Sequence, residues 1–251
     1  MSEYINITAD NIDQEHLCCA LSDRKHQAGV AAKKAWLKER FTEGHRFRRL
    51  NARGKVFIEY APLETAWVPV QGVNYLYIYC LWVAGSNQHQ GHGQALLDYC
   101  VAEAKEQAKA GVCVICGHQK QLFLSDRSFF IRQGFTVADT CGQYELLSLN
   151  FDSAKPSFIK NPLPDELKKH DLTIFYSVQC PYSGECIRQL RAYCAEHGLS
   201  LDIKLITSSA QAKQLPGVFN NWATYYQGQL LGVNPLNEGM LVRLLAKVQS
   251  L

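Results

Sequence analysis

Residues 75–97 read YLYIYCLWVAGSNQHQGHGQALL, and this segment decides the fold. Its first nine residues form an apolar, aromatic run that is typical of a β-strand. After the glycines, the apolar residues Leu96, Leu97, Cys100 and Ala104 recur at helical spacing on one face. The segment therefore predicts a strand, a glycine-bearing turn and a helix in direct succession.

The predicted turn has the properties of a phosphate-binding site. Gly91 and Gly93 lack Cβ atoms, so a ligand can approach their backbone closely. The first turn of a helix offers N–H groups without partners and the positive end of the helix dipole, which together bind phosphate. The loop holds no lysine and Leu96 replaces the third glycine of a dinucleotide motif, so neither a P-loop nor a Rossmann site is predicted. A tight turn that binds nothing stays the alternative.

Residues 88–93 read QHQGHG and match the pattern Q-x-x-G-x-G. With this motif the chain resembles the GNAT acetyltransferases, whose pyrophosphate-binding signature it is. Residues 129–135, FFIRQGF, also resemble a later motif of that family, an aromatic pair followed by x-x-x-G-F. The resemblance covers residues 1–150. It implies an α/β (α+β) fold, with a mixed sheet and flanking helices.

The hydrophobic patterns over these 150 residues predict the element order β-α-α-β-β-β-α-β-α-β, which is similar to that of the GNAT family. The predicted strands are 4–8, 47–51, 56–60, 75–83, 112–116 and 144–149, and the predicted helices are 13–21, 27–43, 91–110 and 125–133. Gly44 is expected to cap the second of these helices.

Residues 151–170 are rich in proline and charge and predict a linker to a second domain at residues 171–251. That domain predicts the order β-α-β-α-β-β-α, with Cys180-Pro181-Tyr182-Ser183 after its first strand. It resembles a thioredoxin/glutaredoxin-like domain, and the whole chain resembles the YoaP-type acetyltransferases. Ser183 stands in place of the resolving cysteine of a dithiol motif, and Ala223 stands where redox members carry a cis-proline.

The GNAT resemblance implies acetyl-CoA as co-substrate. The main chain of Trp82 and Val83 is expected to bond the pantetheine and to place the thioester near Leu81. The residues expected to hold the phosphates are Gln88, His89, Gln90, Gly91, His92, Gly93 and Gln94. An amine then attacks the thioester carbonyl, a reaction that needs a base, an oxyanion donor and an acid for the departing thiolate.

The acid is where the sequence departs from the family. The usual tyrosine is Phe130 here, and a phenyl ring has no proton to donate. The candidates for a replacement are Tyr79, Cys80 and Ser125, each with a structural role as its alternative. A thiol with a pKa of about 8.5 can also leave without an acid at neutral pH.

The resemblance places the base on the third strand. Glu59 is the first candidate, because carboxylates there face the acceptor in many GNAT proteins, and an exposed carboxylate is the alternative. His118, just after a buried strand, is the second candidate. His16, Cys18 and Cys19 lie where the family builds a wall of the acceptor site, with a packed helix as the alternative.

Composition limits the remaining possibilities. The chain has 251 residues, 47% of them hydrophobic, and a net charge of +3, which favours a globular protein without a nucleic-acid partner. No apolar run has the length of a membrane span, and the N-terminus has no signal-peptide pattern. The ten cysteines stand mostly singly in apolar runs and lack metal-ligand spacing, which predicts reduced thiols in the cytoplasm.

The sequence therefore predicts an N-acetyltransferase that acts on an amine of a small molecule. A monothiol glutaredoxin-like redox protein is one alternative, because Cys180 at a helix N-terminus predicts a lowered pKa. A protein that binds acyl-CoA without turnover is the other. The oligomeric state stays open, and a homodimer is compatible with the sequence.

Overall fold

The computed structural model describes residues 4–17, 19–21 and 24–249, which form three β-sheets and six α-helices. The strands are β1 (Tyr4–Ile7), β2 (Arg46–Leu50), β3 (Val56–Pro62), β4 (Val70–Gln71), β5 (Tyr75–Val83), β6 (Gly111–Gly117), β7 (Thr136–Cys141), β8 (Tyr144–Asn150), β9 (Ser157–Phe158), β10 (Leu172–Tyr176), β11 (Leu201–Leu205), β12 (Trp222–Tyr226) and β13 (Gln229–Gly232). The helices are α1 (Gln27–Arg40), α2 (His92–Glu106), α3 (Arg127–Arg132), α4 (Ser183–Glu196), α5 (Ser209–Lys213) and α6 (Glu238–Gln249).

The large sheet has seven strands in the order β1-β2-β3-β5-β6-β8-β7. Only β5 and β6 pair in parallel, and the other neighbours are antiparallel. Helix α2 connects these two parallel strands and packs Leu96, Leu97 and Cys100 against one face of the sheet. This confirms the predicted α/β fold with a mixed sheet and flanking helices.

The second sheet has four strands in the order β11-β10-β12-β13, and it packs against the other face of the large sheet. Phe175 and Tyr225 from this sheet share one hydrophobic core with Trp36 of α1 and Phe57 of β3. The predicted order of residues 171–251 is confirmed, because α4, α5 and α6 follow β10, β11 and β13. The two parts of the chain are thus joined by a continuous apolar core.

Most predicted boundaries agree with the structure within a few residues, but the predicted helix at residues 13–21 is wrong. The described residues there form turns and irregular segments rather than a helix. The Asn11 side chain accepts a hydrogen bond from the Thr8 N–H (2.9 Å), a local bond that competes with helix formation. The phosphate-loop helix ends at Glu106 rather than 110, since Ala108 takes a positive φ of 50°. The structure also contains strand β7 and the two-stranded β4–β9 sheet, which the sequence analysis does not predict.

The segment predicted as a linker, residues 151–170, packs against the N-terminal part of the chain. Strand β9 within it pairs with β4, so that Val70 lies opposite Phe158, and both side chains are buried. Asn161 also donates from Nδ2 to the carbonyl oxygens of Lys213 and Leu215. These contacts fix residues 157–161 to both parts of the chain.

The cysteines within the described residues are free thiols. Cys18 lies outside the described residues, so its predicted place at the acceptor site is not described here. In the described ranges, no three His, Cys, Asp or Glu side chains are grouped as metal ligands would be. No helix in these ranges combines the length and the apolar character that a membrane crossing requires.

Candidate functional site

Strands β5 and β6 pair only over their first halves. Their register runs from Tyr75 opposite Gly111 to Ile78 opposite Val114, and it stops there. Strand β5 continues to Val83 beside β3. A bulge between Glu59 and Tyr60 leaves Tyr79 without a partner on β3, and bulges bend strands and increase their twist. The two parallel strands therefore open a cleft at residues 79–83 of β5.

The loop after β5 leads from this cleft to helix α2. Gly91 is the N-cap of α2 and has φ of 80°, a left-handed conformation that favours glycine. No side chain caps this helix end, so the N–H groups of its first turn have no partners from the cap residue. Together with the dipole of a fifteen-residue helix, these groups give this helix end the properties that favour anion binding.

The polar side chains of the loop are bonded to its own backbone or to neighbouring residues. Gln88 Nε2 donates to the Val83 carbonyl (3.3 Å), and Gln90 Nε2 donates to the Ser86 carbonyl (2.6 Å). Gln94 likewise donates to Asp98 (2.6 Å), and the His92 ring bonds Tyr4 Oη (2.8 Å). His89 is exposed with φ of 63°, and Gly93 lies against Phe129. These side-chain bonds hold the shape of the loop, and the Gln88 N–H also donates to the Gly85 carbonyl (3.2 Å).

A cavity of about 250 Å³ lies beside the cleft, between the two larger sheets. We call it the inter-sheet cavity. Its lining residues are Cys19, Lys33, Lys55, Phe57, Tyr79, Cys80, Trp82, Phe123, Gln179, Cys180, Pro181, Tyr182 and Asn221. Residues 79–82 of β5 thus border both the cleft and this cavity. A ligand in the cavity can therefore reach a group held in the cleft.

The C-terminal part of the chain closes the inter-sheet cavity. The Ala20 N–H donates to Tyr182 Oη (3.2 Å), and the Phe123 ring meets the Tyr182 ring edge to face at 5.7 Å. Phe123 has φ of 63°, which is an outlier for a bulky residue and marks backbone strain where the ring is held. Nearby, Asn220 bonds Tyr77 Oη (2.7 Å) and the Tyr79 carbonyl (3.3 Å). The wall is therefore fixed by polar contacts as well as by packing.

A buried charge network lies beneath the inter-sheet cavity. Lys33 Nζ donates to Glu59 Oε2 (2.5 Å), and His45 Nε2 bonds Glu59 Oε1 (3.0 Å). All three side chains are almost fully buried. Burial alone would raise the pKa of Glu59, but Lys33 and then His45 hold it at about 2. Burial alone would lower the pKa of Lys33, yet Glu59 reverses this and raises it, so the pair is ionised.

This network predicts a specific dependence of stability on acid. The pKa of Glu59 falls from an ordinary 4.5 to about 2 on folding. Its stabilising contribution is thus complete above pH 4.5 and is lost as the pH falls towards 2. We expect the unfolding free energy, measured with urea, to depend less on pH over this range in the double variant Lys33→Met/Glu59→Gln than in the wild type. Glu39→Gln, which removes an exposed carboxylate, is expected to keep the wild-type slope; equal slopes in all three proteins would contradict this account.

Glu59 does not face the acceptor as the sequence predicts. Its side chain is completely buried, it does not line the inter-sheet cavity, and both of its oxygens have partners. His118, the second candidate for the base, is an exposed partner of Glu145 (3.0 Å) and does not line the cavity either. His16 is also absent from the lining, whereas Cys19 belongs to it.

Of the three predicted proton donors, the structure brings two to the cavity. Tyr79 and Cys80 line it, and burial raises the pKa of both groups, so both keep their protons at neutral pH. Tyr79 Oη also accepts a hydrogen bond from the Trp67 N–H (2.6 Å). Ser125 lies outside the lining, beside Cys116. Phe130, in the position of the family's tyrosine, is a fully buried core residue that contacts Phe135.

The expectation of a lowered pKa at Cys180 is wrong. Helix α4 begins at Ser183, and the Cys180 thiol is buried in the wall of the inter-sheet cavity. Burial raises its pKa to about 12, although a bond from the Tyr182 backbone acts in the opposite direction. A thiol that stays protonated is a poor nucleophile for disulfide exchange. The structure thus gives no support to a glutaredoxin-like role for Cys180.

The comparisons with known proteins bear on the whole chain. The family model described as YoaP-like matches residues 201–243. The uncharacterized N-acetyltransferase YoaP of Bacillus subtilis (strain 168) is 38% identical over 231 residues, which cover 91% of this chain and 92% of that protein. The chain belongs to the YoaP family of N-acetyltransferases. The predicted acyltransferase class is confirmed at the level of this family.

Solved structures similar to this member of the YoaP family are acetyltransferases. PaiA N-acetyltransferase from Thermoplasma acidophilum, solved with coenzyme A, is 16% identical, with a TM-score of 0.41; the match covers 60% of this chain and 99% of PaiA. YncA from Salmonella typhimurium, solved with acetyl-CoA, is 14% identical, with a TM-score of 0.42; the match covers 61% of this chain and 95% of YncA.

The sequence alone missed several residues of the inter-sheet cavity. Lys33 and Lys55 carry its charges, and Phe123 and Tyr182 close it; of these four, only Tyr182 stands in a motif, residues 180–183, which predicted a redox role instead. A lysine on an otherwise apolar helix face was the only signal, because Lys33 is buried within α1 beside Trp36 and Leu37. The C-terminal wall could not be inferred from spacing, since packing alone brings it to β5.

Proposed function

We propose that this YoaP-family protein transfers the acetyl group of acetyl-CoA to an amine of a small molecule. The phosphates of acetyl-CoA bind the N–H groups at the start of α2, and the pantetheine lies in the cleft between β5 and β6. The observation that carries the proposal is the continuity of these two features with the inter-sheet cavity along residues 79–83. The amine reaches the thioester from the cavity.

In this proposal the amine reacts without a carboxylate base. An ammonium group that enters the inter-sheet cavity loses its hydration and meets the positive charge of Lys55, and both effects lower its pKa. Within the described parts of the chain, the charged and titratable groups that line the cavity are Cys19, Lys33, Lys55, Tyr79, Cys80, Cys180 and Tyr182, and no carboxylate is among them. The amine therefore arrives with its lone pair free, and its proton leaves to water after the attack.

Tyr79 and Cys80 are the groups placed to protonate the departing thiolate. Both line the cavity beside the cleft and carry an O–H or S–H proton, although burial raises the pKa of each group and so makes it a weaker acid. Glu59 acts indirectly: it balances the charge of Lys33, which lines the cavity. We further propose that residues 1–150 form the acetyltransferase domain, 151–170 a packed connection, and 171–251 a second domain that walls the acceptor site.

The proposal is tested by a charge placed at the anion site. An aspartate in place of Gly91 brings its carboxylate to the N–H groups of α2 and repels the phosphates. We expect Gly91→Asp to weaken acetyl-CoA binding by about tenfold or more, as measured by calorimetric titration. Loss of turnover, measured as release of the CoA thiol with an amine present, is expected in the same variant.

The matched control is Gly142→Asp. Gly142 also has a positive φ (57°), and a Cβ there meets nothing within 4 Å, but it lies in the turn between β7 and β8. The control thus introduces the same charge and a similar backbone strain away from α2. Equal acetyl-CoA affinity in both variants, or no binding by the wild type, would overturn the proposed function.

A further inference from the structure

The walls of the inter-sheet cavity are aromatic and sulfur-rich. Five rings line it, those of Phe57, Tyr79, Trp82, Phe123 and Tyr182, together with three thiols and Pro181. Aromatic rings prefer edge-to-face and stacked contacts with other rings, and sulfur atoms favour ring edges. Such a lining fits a planar apolar group better than a flexible polar chain.

The size of the inter-sheet cavity limits the ligand to a small molecule. Its volume of about 250 Å³ corresponds to about eight water molecules in the liquid. One aromatic ring with a short amine-bearing chain fits this space.

The charged side chains that line the inter-sheet cavity, within the described ranges, are the two lysines Lys33 and Lys55. The charge of Lys33 is balanced by Glu59 beneath it, so Lys33 offers little attraction to a ligand. Lys55 is half-buried and forms no ion pair with another described residue. Among the residues that the structure describes, no carboxylate lines the cavity to receive a second ammonium group of a ligand. Polyamines and acceptors with cationic side chains are therefore disfavoured, whereas a carboxylate can pair with Lys55.

Lys55 lies close to the reacting end of β5. The Lys55 carbonyl accepts a hydrogen bond from the Ala84 N–H (3.0 Å), and the next residue, Val56, pairs with Val83. Lys55 directly precedes β3. In that strand Phe57 pairs with Trp82 of β5, and both rings belong to the cavity lining. A carboxylate bonded to Lys55 thus lies near the part of the cleft where the proposed thioester is held.

We infer that the inter-sheet cavity binds an α-amino acid with an aromatic side chain, whose α-amine is the acetyl acceptor. The ring lies among the aromatic and thiol groups, the carboxylate pairs with Lys55, and the amine points into the cleft. In the reaction the amine nitrogen bonds the acetyl carbon, the carbon–sulfur bond breaks, and the products are an N-acetylamino acid and CoA thiol. This inference rests on the proposed function and names its substrate class.

The test compares four amines with the wild-type protein and acetyl-CoA: L-phenylalanine, 2-phenylethylamine, L-lysine and putrescine. Release of the CoA thiol is measured, and binding of each amine is measured separately by calorimetry. We expect phenylalanine to be preferred over 2-phenylethylamine by about tenfold or more in kcat/KM, because only phenylalanine can pair with Lys55. Lysine and putrescine are expected to give no release above background.

The decisive variant is Lys55→Gln, which is expected to abolish the preference for phenylalanine over 2-phenylethylamine. Lys160→Gln makes the same change in charge at an exposed lysine outside the lining and is expected to keep the preference. An unchanged preference in Lys55→Gln, faster turnover of putrescine, or no binding of either aromatic amine would overturn the inference. Binding of phenylalanine without binding of acetyl-CoA would instead overturn the proposed function and leave this cavity assignment standing.

Discussion

Replacing Gly29 by alanine is expected to destabilise the folded chain by about 1–3 kcal/mol. Gly29 lies in α1, where alanine normally stabilises a helix by about 1 kcal/mol relative to glycine. Here a Cβ would clash with the carbonyl oxygen of Pro181, a backbone atom that cannot turn aside. The clash therefore forces α1 away from the C-terminal part of the chain, and the sign of the usual effect is reversed. Urea unfolding monitored by circular dichroism measures the change.

The same substitution should alter the inter-sheet cavity. Pro181 belongs to its lining, between Cys180 and Tyr182, so a shift of this segment moves one wall. We expect Gly29→Ala to weaken the binding of an aromatic amine while acetyl-CoA binding, which depends on the start of α2, is retained.

Gly184 offers the matched control. It lies in the first turn of α4, it is exposed, and a Cβ there meets nothing within 4 Å. Gly184→Ala is therefore expected to leave stability unchanged or to raise it by up to about 1 kcal/mol. If Gly29→Ala stabilised the chain as much as Gly184→Ala does, the close contact between α1 and Pro181 would be refuted.

The strand, loop and helix at residues 75–106 could be predicted because their signals are local. Alternating and helical hydrophobic patterns, together with Gly91, are contained within one continuous segment. The same holds for the hairpin of β2 and β3 and for the elements of the C-terminal part. The helix predicted at 13–21 failed because its apolar residue Leu17 is buried from an irregular segment rather than from a helix face.

The acceptor side of the site could not be predicted, because tertiary packing assembles it. Lys33 and Cys180 are far apart in sequence and line one cavity only because α1 packs against the segment before α4. The pKa of Cys180 illustrates the same limit. Its position just before a helix suggests a thiolate, whereas burial under Tyr182 and beside Cys19 keeps it protonated. Local sequence cannot report desolvation by distant residues.

The substitution Lys33→Met is expected to have the largest effect on stability, a loss of about 3–5 kcal/mol. It leaves the Glu59 carboxylate completely buried with only the neutral ring of His45 as its partner. In the wild type burial lowers the pKa of His45, so a positive charge on this histidine, which Glu59 favours, has a desolvation cost. Equilibrium unfolding in urea at pH 7 measures the loss.

A second substitution should recover much of that loss. Lys33→Met/Glu59→Gln removes both charges, and an amide at position 59 can still bond His45, so no buried ion is left unpaired. We expect the double variant to be more stable than Lys33→Met by about 2 kcal/mol or more. Lys38→Met is the control, because Lys38 pairs with Asp13 at the surface and such pairs contribute less than about 1 kcal/mol. If Lys33→Met were as mild as Lys38→Met, Glu59 would be neutral in the folded protein, and the cavity floor would carry an unbalanced positive charge available to a ligand carboxylate.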